Sequence, residues 1–238
     1  MKTPIRIIYM GTPDFSVPAL KTLASNDSMS VDLVITQPDR PKGRGKKLAL
    51  SPVKTAALEL GLDVYQPEKL NSPEALDKLT GLKPDFFVVA AYGQILSQDI
   101  LDIPRYCPVN IHASLLPRYR GASPIQAAVA NMDTETGVTT MIMAKAMDAG
   151  DILLKARTSI DPEDTAQDLH DRLADLGGKL IIDTLHGIVD KQITPTPQDH
   201  DQATYVKLLK KNDGRIDWTL FSRANRAHNN ALTPWPGA

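Results

Sequence analysis

Apolar residues in this 238-residue chain fall in short runs divided by turn formers, and the runs alternate between strand-like and helix-like periods. Ile5 to Met10 is an apolar run stopped by Gly11-Thr12-Pro13, and Val17 to Ala24 follows at helical spacing. Val31 to Thr36 reads as a second strand. Ser51-Pro52 opens a helix with Val53, Ala56, Ala57 and Leu60 on one face and Gly61 closing it. A short strand, Val64-Tyr65, precedes a helix from Asn71-Ser72-Pro73 to Leu79. Phe86 to Ala91 is continuously apolar, as in a strand buried on both faces. Val109 to His112, Gly137 to Met143 and Ile152 to Thr158 complete the strands. Ser123 caps a helix that has Pro124 at its first position and runs to Asn131. From Asp161-Pro162 the pattern is helical through Leu169, Leu173, Leu176, Leu180 and Ile188. Gly177-Gly178 interrupts it, and either kinks the helix or lets its backbone close on the sheet. The alternation predicts an α/β fold with a doubly wound, mostly parallel sheet over residues 1–190.

Residues 191–238 change character and read as a connecting segment and linker. Pro195, Pro197 and Gln198 to Gln202 are polar, Tyr205 to Lys211 is basic, and Thr233-Pro234-Trp235-Pro236-Gly237-Ala238 resembles a linker. The chain is expected to stop at the edge of another domain.

Composition is that of a soluble globular protein, 42% hydrophobic and 23% charged. No run reaches the ~18 apolar residues of a membrane span, and a strand by Ile5 leaves no room for a signal peptide. Cys107 alone makes neither a disulfide framework nor a cysteine zinc site. A cytoplasmic, membrane-free protein is expected. The net charge of −1 hides a local block: Arg40, Lys42, Arg44, Lys46 and Lys47 lie between Gln37 and Lys47 in a loop rich in Pro and Gly, leaving −6 on the rest. Such a block on an acidic body implies a contact made at one place and not a general affinity for polyanions. The loop reads as long and without regular structure.

Val109 to Gln126 carries the candidate chemistry. Asn110 and His112 lie two apart on a strand and so emerge on one face, near its carboxyl end, where open α/β sheets bind ligands. Asp148, in the turn Met-Asp-Ala-Gly-Asp, could accept a hydrogen bond from the imidazole and favour its charged form. Residue types and spacing alone leave open a bland reading, with two satisfied strand-end side chains and an ordinary turn aspartate. Gly11 stands alone without a G-x-G-x-x-G, which argues against a dinucleotide site. The histidines at 170, 186, 200 and 228 have no ligand spacing.

Asn110-x-His112, Ser114-Leu115-Leu116-Pro117-Arg118-Tyr119-Arg120-Gly121 and Asp148 together resemble the signature of the folate-dependent formyltransferases. Within that superfamily the basic insertion Asp39 to Lys47, Gly11-Thr12-Pro13-Asp14-Phe15, Asp213-Gly214-Arg215-Ile216-Asp217-Trp218 and Pro234 to Ala238 are similar to the methionyl-tRNA formyltransferases. The resemblance covers nearly the whole chain. Ala127, where that family often carries Arg, and Pro108 are departures from its pattern.

The resemblance implies a Rossmann-like domain whose C-terminal β-barrel partner is absent from this chain. It implies transfer of the formyl group of 10-formyltetrahydrofolate, as donor substrate, to the α-amino group of methionyl initiator tRNA. A formyltransferase acting on a small amine, such as an amino sugar nucleotide or glycinamide ribonucleotide, is the alternative; the basic insertion argues against it. A third class, an RNA-binding module on a degenerate fold, is disfavoured by the intact triplet. Asn110, His112 and Asp148 are the expected catalytic residues, with no metal. Folate is expected against Tyr92, Gly93, Gln94, Ile95 and Leu96, with Ser114, Leu115, Leu116 and Pro117 at the formyl end. The tRNA is expected on Arg40, Lys42, Arg44, Lys46 and Lys47, with help from Arg118 and Arg120. A monomer is expected.

Overall fold

The computed structural model describes residues 3–42, 47–219 and 221–237. In chain order the elements are β1 (Ile5–Gly11), α1 (Val17–Ala24), β2 (Met29–Ile35), β3 (Arg40–Lys42), β4 (Lys47–Ala49), α2 (Pro52–Glu59), β5 (Val64–Tyr65), α3 (Pro73–Leu82) and β6 (Phe86–Ala90). There follow α4 (Gln98–Leu101), β7 (Cys107–His112), β8 (Arg120–Gly121), α5 (Pro124–Ala130), β9 (Glu135–Ile142), β10 (Ile152–Ser159), α6 (Ala166–Val189), β11 (Tyr205–Val206) and α7 (Ser222–Ala231).

Seven strands form one sheet in the order β10-β9-β7-β6-β1-β2-β5. Pairs β1–β2, β2–β5, β1–β6 and β6–β7 are parallel, while β7–β9 and β9–β10 are antiparallel. The chain winds outward from β1 to β2 and β5, then returns to the other side of β1 as β6. Strand order therefore reverses between β1 and β6, which is where a doubly wound sheet opens a crevice at its carboxyl edge.

Period two along the central strands feeds two cores. Ile7, Tyr9, Phe86, Val88, Val109 and Ile111 meet α1, α2 and α6 on one face. Ile8, Met10, Phe87 and Val89 meet α3 and α4 on the other. Both faces are covered, which explains the uninterrupted apolar run of β6.

Helix starts follow local chemistry. Ser51 Oγ accepts from the Lys54 N–H at 3.0 Å with Pro52 next to it, and Thr165 and Asp168 form a capping box at α6. Ser123 precedes α5 but makes no side-chain cap bond; its backbone (φ −135°, ψ 52°) leaves the extended region in which a cap folds over the first turn. Gly177 and Gly178 do not break α6. A Cβ on Gly177 would lie 2.8 Å from Ile111 Cγ2, and one on Gly178 3.2 Å from the Pro18 carbonyl carbon, so both serve close approach.

The segment expected to be a loop without regular structure is in part a ribbon: Arg40 pairs with Ala49 and Pro41 with Leu48. Its base is held by Asp39, which accepts from Lys54 Nζ at 2.5 Å and Gln66 Nε2 at 2.9 Å. Residues beyond 191 pack back on the sheet domain. Thr196 bridges to Ile152, β11 pairs in parallel with β8, and α7 buries Ala227 and Ala231 on the domain, where it meets α5. No helix among the described residues is long and apolar enough to cross a membrane.

Candidate active site

Strand β7 carries Asn110 and His112 to the edge of the crevice because Val109 and Ile111 are drawn into the core beneath α6. Asn110 sits beside Val89 of β6 and Met141 of β9, half-buried, and His112 is buried opposite Thr139. The His112 Nε2 lies 2.9 Å from the Tyr119 carbonyl oxygen. A carbonyl can only accept, so Nε2 carries the proton and Nδ1 faces Asp148 Oδ2 at 3.8 Å. That separation suits a charge pair but not the hydrogen bond expected from sequence. Asp148 Oδ2 instead accepts the Gly121 N–H at 2.7 Å. Asp148 holds a left-handed backbone, φ 49°, which aspartate tolerates better than most residues.

Three hollows meet here. The largest, about 600 Å³, runs from Pro13 and Phe15 after β1, past Tyr92 to Gln94 after β6 and Asn110 to Ala113 of β7, to Gly121 and Gln126. Its volume is in the range of sites that enclose a drug-sized ligand. A narrower slot of about 240 Å³ is lined by Ile95, Leu96 and Leu101 together with Met141, Met143 and Met147. Gln94, Met143 and Asp148 border both. A third, shallow groove of about 470 Å³ contains Arg40 and joins the first at Pro13 and Gly93.

The loop after β6 is held from outside the cleft. Gln94 accepts the Leu70 N–H at 3.0 Å, and Asn71 donates to the Ile95 carbonyl at 2.9 Å. The Tyr92 ring is buried, which pushes its phenol up to about 12. Of the five residues expected to meet folate here, Tyr92, Gly93 and Gln94 line the large cleft and Gln94, Ile95 and Leu96 the slot.

The four residues expected at the formyl end, Ser114, Leu115, Leu116 and Pro117, stand apart from both hollows. Ser114 and Leu116 are buried, and Thr139 Oγ1 takes the Leu116 N–H at 3.1 Å while donating to the Ser114 carbonyl at 2.6 Å. Lys155 Nζ donates to the Leu116 carbonyl at 2.6 Å. The turn is thus fixed against the antiparallel strands, and Gly121, Pro124, Ile125 and Gln126 occupy the cleft wall instead.

Arg120 also differs from expectation. It is 1% exposed and points inward to Gln198, Tyr205 and His200, so it offers no charge to an external phosphate. Arg118 is half-exposed; it donates to Tyr119 Oη at 2.8 Å and pairs with Asp133 at 3.3 Å. Arg40 is exposed on the ribbon. Lys42 and Lys47 lie in β3 and β4, and Arg44 and Lys46 fall outside the described residues. Among the described residues no cluster of His, Cys, Asp or Glu could hold a metal ion.

Four contributors escape a reading of motifs. Phe15 stands in Gly11-Thr12-Pro13-Asp14-Phe15 but has no polar atom to draw notice, and Ile125 and Gln126 look like ordinary helix residues. His170 borders the cleft from α6, pairs with Asp14 at 3.4 Å and stacks edge-on against Phe15.

The sequence profile described as formyl transferase matches residues 5–185. A methionyl-tRNA formyltransferase of Hydrogenovibrio crunogenus is 50% identical over 238 residues, covering 100% of this chain and 76% of that protein. One from Citrifermentans bemidjiense is 46% identical over 236 residues, covering 99% of this chain and 74% of that protein. An N-formyltransferase of Helicobacter canadensis, solved with folinic acid and dTDP-3-aminofucose, superposes with a TM-score of 0.72 at 20% identity, covering 95% of this chain and 80% of that one. At that identity the likeness is one of fold.

Proposed function

The chain belongs to the methionyl-tRNA formyltransferases within the formyl transferase family, and from that premise we propose that it transfers a formyl group from 10-formyltetrahydrofolate to the α-amino group of methionine on initiator tRNA. The observation that carries the reading for these residues is the meeting of Asn110, His112 and Asp148 in the large cleft, where Asp148 also borders the neighbouring slot. One hollow takes the donor and the other the acceptor.

The apolar slot between Leu96, Leu101, Met141 and Met143 fits a flat pterin ring, with the chain at 93–96 and 144–148 beside it. The donor presents a formyl carbon open to attack by an amine, and the addition places negative charge on the formyl oxygen before the folate nitrogen leaves. Asn110, by its side-chain amide, donates to that oxygen. The His112 Nε2 proton is committed to Tyr119, so the nitrogen that acts on the reacting atoms is Nδ1. Protonated there, the imidazolium donates to the oxygen, and Asp148 is its countercharge. Asp148 also takes the proton that the attacking nitrogen must lose, directly or through a water. That proton is returned to the folate nitrogen as the C–N bond to it breaks, so that tetrahydrofolate leaves neutral at that nitrogen. One oxyanion donor of this kind contributes ~3 kcal/mol to the rate.

The tRNA lies along the groove that leads from the exposed Arg40 to the cleft at Pro13 and Gly93. Phosphates of the acceptor stem meet the basic ribbon and its unpaired end enters the cleft, since unstacked ends are the readable parts of RNA. The setting for this chemistry is the bacterial cytoplasm.

The test is incubation with 10-formyltetrahydrofolate and either methionyl initiator tRNA, an amino sugar nucleotide or glycinamide ribonucleotide. Formylated methionyl-tRNA is the expected product. Formylation of a small amine alone would move the acceptor to that class, and no formylation of any amine would remove the enzymatic reading.

A further inference from the structure

We propose that Arg120 and Gln198 are positioning residues for Asp148, holding its carboxylate and its backbone through one buried polar chain; this rests on the role given to Asp148 above. Neither residue touches the cleft, and Gln198 lies in the stretch beyond the matched family region.

The Gln198 side chain is 5% exposed overall and every hydrogen-bonding position of its amide is used. Its Oε1 accepts from Arg120 Nε at 3.1 Å and Nη2 at 2.6 Å. Its Nε2 donates to the Asp148 carbonyl at 2.9 Å and the Gly150 carbonyl at 2.7 Å. The partners fix the orientation, because a guanidinium cannot accept and a carbonyl cannot donate. Two carbonyls of the same tight turn are thus drawn onto one nitrogen, and the residue between β9 and β10 held in the left-handed region is Asp148 itself.

The opposite side of Asp148 is held by the same arginine. Gly121 N, which donates to Asp148 Oδ2 at 2.7 Å, belongs to the rigid peptide unit that leaves Arg120. Arg120 is fixed further by Tyr205 Oη at 3.1 Å and by His200 Nδ1 at 3.2 Å. Its backbone N–H donates to the Thr204 carbonyl at 2.8 Å. No carboxylate lies within ion-pair distance of this guanidinium among the described residues. A cation placed out of water against neutral groups is costly, and what it obtains here is geometry. The segment from Gln198 to Val206 is accordingly part of the site and more than a tail behind it.

The experiment compares Gln198→Met, which keeps length and removes all four bonds, with Gln198→Glu, which keeps the acceptor and loses both donors. Each is measured in the wild-type chain and with Asp148→Asn, by single turnover where activity is low. Thermal melting and tetrahydrofolate binding report folding. Both Gln198 variants are expected to lower kcat about 10- to 100-fold, with both KM values within about threefold of wild type, as for a displaced reacting group. With Asp148→Asn already present, the same change is expected to move kcat less than about twofold, because groups acting as one unit are not additive. A purely structural role would give the same fractional loss in both backgrounds, and that result, or full kcat in a folded Gln198→Met chain, overturns the proposal. If Gln198→Met does not fold, Gln198→Glu decides. Wild-type turnover by Asp148→Asn would instead sink the assignment of Asp148 on which this builds.

Discussion

Gly177 of α6 lies so close to Ile111 of β7 that a Cβ on the glycine would fall 2.8 Å from Ile111 Cγ2. Ile111 stands between Asn110 and His112, so the distance from helix to sheet sets the height of both side chains at the cleft. Gly177→Ala is expected to destabilise the fold by ~1–3 kcal/mol through overpacking. Urea unfolding measures this, and an unchanged midpoint would mean that α6 moves away freely.

Asn110 offers the cleft an uncharged donor at the carboxyl end of β7. Asn110→Ala is expected to lower kcat by about 100-fold or more while leaving the KM for folate within about threefold. A comparable rise in KM with kcat preserved would make Asn110 a binding residue.

Arg40 is exposed beside the groove that opens into the cleft. Arg40→Ala should raise the KM for methionyl-tRNA severalfold and reduce the slope of log affinity against log salt by about one charge. Folate binding should be unaffected. An unaltered salt slope would place the tRNA elsewhere.

Asp39 is held below its ordinary value of 3.8, first by the hydrogen bond from Lys54 and then by that from Gln66. The folded state therefore prefers the carboxylate. Its contribution is present in full above the ordinary value and is lost as pH falls through the lowered one. The difference in stability between wild type and Asp39→Asn should be constant above about pH 5 and shrink below about pH 4. Melting curves across that interval test the sign.

Cys107 is pushed up to about 11 by burial at the start of β7. Since the thiolate is the nucleophile, alkylation of the native chain near pH 8 should run about 100-fold slower than in urea. Equal rates would mean that the strand opens readily.

The strands were legible in sequence because two-sided burial leaves apolar runs such as Phe86 to Ala90 that few other elements produce. Asn110 and His112 were legible because strand period two puts both on one face at a carboxyl edge. Position relative to distant elements was not legible. Ser114 to Pro117 read as a ligand loop, and what turns it inward is Thr139, a strand residue with no motif of its own. Arg120 read as a surface cation because its partner, Gln198, is 78 residues away in a stretch of polar residues. Short pairings have the same difficulty: β8 and β11 contribute two residues each, too few for any periodicity.

The reversal of winding between β1 and β6 makes the crevice a property of connectivity. The segments leaving those neighbouring strands must depart toward opposite faces, so the gap opens whatever side chains line it. Replacing residues on its walls can reshape what fits without shutting it, and a change of amine needs altered loop tips above an untouched sheet.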